Sequence, residues 1–281
     1  MGSGIAQAAA AAGFPTVVHD LSPELLARGR AGMQRSLDKL VEKERIPQSV
    51  RDEALERLAF SRELVDLRDS DIVIEAVTED LDAKNALWRE LDALCPPKTV
   101  FASNTSSLPI AAMAAATGRP ERFIGLHFFN PVPLMPLVEV VRTVTTSDET
   151  MERAFAFVRA LGKEAVSVAD RSGFLVNLLL VPYLLDAVRA LERGVASIAD
   201  VDRAMRLGAG HPMGPLTLLD FIGLDTAVRI GDIMFEEYRD ARYAPAPLLR
   251  RMVTLGLLGR KSGRGFYDYA ADPPVPMRLG L

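Results

Sequence analysis

Three polar features stand where an α/β chain would present them to a ligand. Glu139 sits in the middle of Leu137-Val138-Glu139-Val140-Val141, an otherwise apolar run suited to a strand. A carboxylate in such a strand is costly to bury without a partner. His127, near the end of the run Phe123 to Phe128, is the natural one, because the segment Phe129 to Pro136 could turn one strand back beside the other. A carboxylate on one imidazole nitrogen fixes the tautomer and raises the basicity of the other, which is what a general base requires. The third feature, Ser103-Asn104-Thr105-Ser106-Ser107, follows the strand-like run Thr99 to Ala102 and offers hydroxyl and amide groups. Each has an ordinary explanation as well: a core or surface histidine, a glutamate on a sheet edge, a turn or helix cap. Their place at the ends of successive sheet elements favours a shared site, since strand ends face the ligand crevice of a doubly wound sheet.

The N-terminus carries a different signal. Met1-Gly2-Ser3-Gly4-Ile5-Ala6-Gln7 runs into an alanine-rich helix stopped by Gly13, followed by Thr16-Val17-Val18-His19-Asp20, a β-rich run ending in an acid. Asp20 lies 18 positions after Gly2, near the roughly 20-residue spacing at which an acid meets the ribose of a bound dinucleotide. Gly2 can then only be the third glycine of G-x-G-x-x-G. The expectation is a chain that begins inside its own motif, lacking the first strand and the first two glycines. An ordinary helix and strand with a terminal Asp explain this stretch equally well.

The elements that must position these groups are read from periodicity. Helical patterns run from Leu25 to Glu44, with a basic face of Arg28, Arg30, Arg35, Lys39 and Lys43, and from Val50 to Leu58, Asp82 to Leu94 and Met151 to Leu161. Strand-like runs cover Asp71 to Val77, Thr99 to Ala102, Phe123 to Phe128, Leu137 to Val141 and Ala165 to Val168. The alternation predicts a Rossmann-like, doubly wound and mainly parallel sheet. From Phe174 onward helical patterns take over: Phe174 to Arg193, Ile198 to Leu207, Pro215 to Tyr238 and Pro247 to Leu255. A domain boundary is therefore expected at about 169, dividing the chain into a 1–169 sheet domain and a 170–281 helical domain.

Composition removes several function classes. The chain has 281 residues, 49% of them apolar and 25% charged, and a net charge of −4. That describes a two-domain globular protein with no broad electrostatic reason to bind nucleic acid or an anionic membrane. One cysteine, Cys95, leaves no intrachain disulfide and fits a reducing, cytoplasmic setting. Three histidines and that cysteine make a zinc site improbable, so no metal is expected. The longest apolar run, Phe174 to Leu185, is broken by Asn177 and Pro182 and is too short to span a bilayer. Two glycine-rich strings are set aside: Gly208 to Gly214 follows a helix, and Arg260 to Gly265 reads as a solvated basic turn. From residues alone the reading is a dinucleotide-linked α/β enzyme with a His/Glu pair.

Six strings in order carry the reading further: Ser103 to Leu108, His127-Phe128-Phe129-Asn130-Pro131, Leu137-Val138-Glu139-Val140, Gly173-Phe174-Leu175-Val176-Asn177, Leu207 to Pro215, and Lys261 to Tyr267. With them the chain resembles the L-3-hydroxyacyl-CoA dehydrogenase family, bacterial 3-hydroxybutyryl-CoA dehydrogenases in particular, over residues 2 to 269. The resemblance implies reversible, NAD-dependent oxidation of an L-3-hydroxyacyl-CoA to the 3-ketoacyl-CoA. It implies His127 as the catalytic base, Glu139 as its carboxylate partner, and Ser106 and Asn177 as groups holding the substrate oxygen. It implies cofactor contacts at Gly2, Asp20, Glu79, Lys84, Asn104, Ser106 and Lys261, with Asp20 selecting NAD over NADP. Ser36, Lys43 and Ser106 would contact the CoA thioester, and the helical domain would form a homodimer. Leu178 departs from the arginine common in the family after this Asn, from which a local packing change is expected. A truncated, non-catalytic binding or structural relative and a dehydrogenase of a non-CoA hydroxy acid are the competing expectations.

Overall fold

A computed structural model describes residues 1–280, which divide into two compact units, Met1–Phe174 and a second beginning at Leu175. In the first unit α1 (Gly2–Ala11) leads into β1 (Thr16–His19), α2 (Pro23–Glu42), α3 (Gln48–Glu56) and β2 (Leu58–Ser61). Pro23 opens α2 at a position where its missing N–H costs nothing, and Ser22 Oγ accepts the N–H of Leu25. Strands β1 and β2 pair in parallel, with Thr16 opposite Leu58 and His19 opposite Ser61. The chain continues through β3 (Ile72–Glu75), α4 (Leu81–Leu94), β4 (Val100–Ser103), α5 (Ile110–Ala114), β5 (Phe123–Phe128), β6 (Leu137–Arg142), α6 (Asp148–Ala160) and β7 (Glu164–Ala169).

These last five strands form one sheet in the order β3-β4-β5-β6-β7, parallel throughout except between β5 and β6. The parallel strands of the unit therefore fall into a two-stranded and a five-stranded sheet. Helix α1 serves both: Ile5 shares a core cluster with Val100, Ile124 and Val138 of the larger sheet, and Ala10 one with Leu37, Ala54 and Leu58, the first residue of β2. Alanines on α1 permit this close approach from two sides. The other face of the five-stranded sheet is aromatic. Trp88 meets Phe123 edge-on at 4.8 Å and Phe101 at 5.1 Å. Every residue of β4 and β5 is buried, as expected of central strands.

The second unit is helical: α7 (Val176–Glu192), α8 (Ile198–Gly208), α9 (Pro215–Ile222), α10 (Leu224–Tyr238) and α11 (Pro247–Thr254), then a short antiparallel pair, β8 (Tyr267–Asp268) and β9 (Val275–Pro276). The helix predicted from Pro215 to Tyr238 is two helices, because Gly223 takes φ 99°, a left-handed value that ends one helix and redirects the next. Leu184, Val188, Leu216, Leu219, Leu249 and Phe266 form the centre of its core. Two buried acids stitch it. Asp202 accepts the N–H of Leu216 and Thr217 at the start of α9, and Asp220 accepts the N–H of Phe266 and Tyr267 and the hydroxyl of Tyr269. Burial outweighs those donors and raises the Asp220 carboxyl above its ordinary range, while burial and the neighbouring Asp220 charge push Tyr269 up to about 12.

Two elements of the first unit had no counterpart in the periodicity. The four residues of β2 adjoin a helix without a break, and α5 is five residues long. Neither length supports a repeat that can be counted.

Candidate active site

The hairpin of β5 and β6 sets His127 directly opposite Glu139. Their side chains meet, with Nδ1 2.6 Å from Glu139 Oε2, and neither is more than 4% exposed. A carboxylate can only accept, so in the neutral imidazole the ring proton is held on Nδ1 and Nε2 keeps its lone pair. That lone pair faces Ser106, whose Oγ lies 3.0 Å away and donates to it. An imidazole, the carboxylate that orients it and a hydroxyl from the loop after β4 are thus brought together.

Ser106 is held by a second polar cluster at the ends of β3 and β4. Glu79 Oε1 accepts the Ser106 N–H at 2.9 Å and the Thr105 hydroxyl at 2.7 Å. Lys84, on α4 and 1% exposed, places Nζ 2.5 Å from Glu75 Oε1 and 3.3 Å from Glu79 Oε2. Glu75 also accepts the Ser103 hydroxyl and the Val77 N–H. A buried ion pair offsets its desolvation only with such additional hydrogen bonds. Asn104, 8% exposed, accepts the N–H of Phe128 and so ties the end of β4 to the residue after His127. Lys84 and Asn104 are therefore engaged inside the protein, whereas Glu79 keeps a quarter of its side chain exposed.

The α1 end of this unit suits a dinucleotide. The first-turn N–H groups of Gly2 and Ser3 have no intrahelical acceptor, and a helix N-terminus attracts phosphate oxygens. Gly2 brings no side chain to that end, where an added Cβ would lie 3.7 Å from Ala76, just past β3. Asp20 follows β1, is half-buried, and uses Oδ1 to accept the Ser22 N–H. Ser36 on α2 lines a cavity of about 180 Å³, with Gly4, Met33, Asn130 and Val132 among the other walls. Lys43 caps the C-terminus of α2 and is exposed, as are Arg28, Arg30, Arg35 and Lys39.

The remaining expected site residues belong to the second unit. Asn177 lies in the first turn of α7 and is half-buried. Lys261 pairs with Asp225, Nζ to Oδ2 at 2.6 Å. Among the described residues no group of His, Cys, Asp or Glu is arranged to hold a metal ion, and no helix is long and apolar enough to cross a membrane.

Several contributing residues were not singled out in the sequence. Glu75 stands in an apolar strand just as Glu139 does, and the same cost of burial could have marked it. Lys163, just before β7, donates to the carbonyls of Val132 and Met135 and fastens the loop after β5; burial holds its ammonium below the usual lysine range. Phe129 and Phe174 stand against the His127 ring at centroid distances of 4.7 and 5.3 Å. Both aromatic residues lie within the strings that carry the family resemblance, but that resemblance implies no role for them.

The chain is similar to known proteins over nearly its whole length. Residues 1–171 match the model of the 3-hydroxyacyl-CoA dehydrogenase NAD binding domain, and residues 173–269 that of the 3-hydroxyacyl-CoA dehydrogenase C-terminal domain. A 3-hydroxybutyryl-CoA dehydrogenase of Mycobacterium tuberculosis is 51% identical over 271 residues, covering 96% of this chain and 95% of that protein. The human mitochondrial hydroxyacyl-coenzyme A dehydrogenase is 47% identical, covering 96% and 88%. The crystal structure of (S)-3-hydroxybutyryl-CoA dehydrogenase PaaH1 from Ralstonia eutropha superposes with a TM-score of 0.93 at 44% identity, covering 96% of both chains.

Proposed function

The chain belongs to the 3-hydroxyacyl-CoA dehydrogenase family, and from that premise we propose how its residues carry out NAD-dependent oxidation of a short-chain L-3-hydroxyacyl-CoA such as 3-hydroxybutyryl-CoA. His127 is the general base. Its Nε2 takes the proton from the substrate hydroxyl while Glu139, fixed on Nδ1, stabilises the imidazolium that results. Ser106 Oγ, now 3.0 Å from Nε2, donates to the substrate oxygen and holds it for that transfer. Bound NAD supplies the acceptor for the hydride that leaves C3. In the reverse direction the imidazolium returns its proton to the oxygen of the ketone. Asn177 is proposed as a second donor to that oxygen.

The observation that carries this reading is the chain of contacts Glu139–His127–Ser106, a buried orienter, a base and a hydroxyl in sequence. Gly2 and Asp20 are proposed to meet the pyrophosphate and adenine ribose. A carboxylate at Asp20 repels a 2′-phosphate, which favours NAD over NADP. Glu79 and Lys261 are proposed as further cofactor contacts; Lys84 and Asn104 serve the cofactor through the loop they hold. Ser36 and Lys43 are proposed to bind the CoA moiety, supported by the cavity at Ser36 and the exposed basic face of α2. A homodimer through the helical unit is supported by its exposed apolar side chains Leu179, Leu207 and Phe221. A cytoplasmic setting is supported by the lone, buried thiol of Cys95.

The test is NADH oxidation with acetoacetyl-CoA. Turnover is expected in the wild type, and His127→Gln is expected to abolish it while leaving NADH binding intact. Equal turnover with acetoacetate in place of its CoA thioester would remove the CoA assignment, and full activity in His127→Gln would remove the base.

A further inference from the structure

The last five residues of the first unit, Asp170 to Phe174, grip the catalytic segment at every second position. Asp170 accepts the N–H of Ile110 through Oδ1 at 2.9 Å and that of Ala111 through Oδ2 at 2.7 Å, capping α5. Ser172, 4% exposed, donates its hydroxyl to the carbonyl of Ser107 at 3.1 Å, one residue from Ser106. Phe174, 3% exposed, reaches the His127 imidazole at a centroid distance of 5.3 Å and an interplanar angle of 56°. Phe129 tilts against the same imidazole at 4.7 Å. The ring that must present Nδ1 to Glu139 and Nε2 to Ser106 is packed by two phenyl groups.

The backbone at this point is unusual. Gly173 has φ 80° and Phe174 has φ 49°, two consecutive residues in the left-handed region. A glycine accepts that conformation freely, but a bulky side chain there is an outlier. Strained residues persist where the surroundings over-determine them, and they cluster at functional sites. Here the chain places glycine at the first left-handed position and phenylalanine at the second, where glycine would be easier. Phenylalanine adds the ring on His127, and with it a place in the apolar cluster of Phe101, Ile110 and Val141.

We propose that Phe174 is a positioning residue for the reaction: by packing on the imidazole from a left-handed backbone held by Asp170 and Ser172, it fixes the His127 ring between Glu139 and Ser106. It touches no reacting atom and acts through the base. The proposal rests on the reading of His127 given above. Small displacements of a catalytic group cost turnover steeply, up to about 100-fold for a misplacement of about 1 Å.

Two variants separate positioning from packing. Phe174→Leu keeps most of the apolar volume, and Phe174→Gly keeps the left-handed turn; both delete the ring. Val158→Ala, in the core on the far side of the sheet, controls for lost stability. In acetoacetyl-CoA reduction both Phe174 variants are expected to lose about ten-fold or more in kcat, with KM for NADH and thioester within about two-fold of wild type. Val158→Ala is expected to retain its kcat. A second readout needs no turnover. The His127 Nδ1 proton, hydrogen-bonded to buried Glu139, gives a downfield NMR signal that His127→Gln assigns among the three histidines. Its exchange with water is expected to accelerate in Phe174→Leu and to stay unchanged in Val158→Ala. A kcat within about two-fold of wild type in Phe174→Leu, or a raised KM with kcat preserved, overturns the proposal. Unchanged exchange overturns it as well. A wild type without turnover would instead overturn the assignment of the reaction, and the exchange measurement would still decide the role of Phe174.

Discussion

Glu139→Gln isolates the charge of the orienting group with little change in shape. Both partners of the His127–Glu139 contact are buried, at 4% and 0% exposure, so solvent does not replace the lost carboxylate. If the amide oxygen faces Nδ1, the tautomer survives and only the charge is removed. A hydrogen bond to a charged group contributes about 1.5–3 kcal/mol. At about 1.36 kcal/mol per decade of rate, kcat then falls about 10- to 150-fold. If the amide nitrogen faces the ring, Nδ1 must accept, the proton moves to Nε2, and the base is blocked. Losses of about 10⁴ accompany a wrong tautomer in a comparable hydrolase triad. The assay is steady-state reduction of acetoacetyl-CoA with NADH titrated separately by fluorescence. The expected result is a kcat lowered by about ten-fold or more, with NADH affinity unchanged. A kcat within about three-fold of wild type would refute the argument that Glu139 stabilises the charged imidazole, since the smallest estimate is about ten-fold.

Three other perturbations probe the supports of the site. Lys84→Met strands Glu75 as an unpaired buried carboxylate and is expected to cost about 3–5 kcal/mol in urea unfolding. Glu75→Gln added to it should recover most of that loss, and a double variant no more stable than the single one counts against the pairing. Lys163→Met removes two charge-assisted hydrogen bonds to the loop after β5 and is expected to destabilise the protein by about 1.5–3 kcal/mol or more. A lowered kcat/KM should accompany it, because Val132 lines the cavity at Ser36. The raised carboxyl of Asp220 means that protonation favours the folded state there. Its contribution is complete below the ordinary value of 3.8 and is lost as pH rises through the raised folded value. The stability of wild type relative to Asp220→Asn, followed by thermal melts, should therefore decline as pH rises from that value; an increase would mean that the hydrogen bonds from Phe266, Tyr267 and Tyr269 outweigh burial.

The parts of the site that were legible in the sequence are those where burial conflicts with polarity. Glu139 in an apolar strand required a partner, and the hairpin geometry of residues 129–136 left His127 to supply it; the structure pairs them directly. Ser106 was placed in the right loop, but its contact with His127 depends on Glu79 and Lys84, which come from a different strand–helix connection. Such contacts between distant segments leave no periodic trace. Apolar spacing predicts the longer helices to within a few residues at their ends, except α1, which alanine content marks, and α9 and α10, which it merges. The break at Gly223 was missed because α9 and α10 continue one apolar pattern across it, and a single glycine inside a helical pattern is often tolerated. The twist at Phe174 was invisible for the opposite reason, since nothing in its side chain suggests a left-handed backbone.

The antiparallel pairing of β5 with β6 has a consequence for how the chain tolerates insertions and deletions. Side chains alternate across a sheet, so sliding β6 past β5 by one residue would set Val138 or Val140 opposite His127 and turn Glu139 to the other face. The connection from Phe129 to Pro136 can lengthen or shorten freely only if the strands keep their partners. Base and orienter are 12 residues apart in one hairpin, and their meeting is specified by the ladder of backbone hydrogen bonds between them. The dyad is thus inherited as a register, and a one-residue slip would erase it with every amino acid still in place.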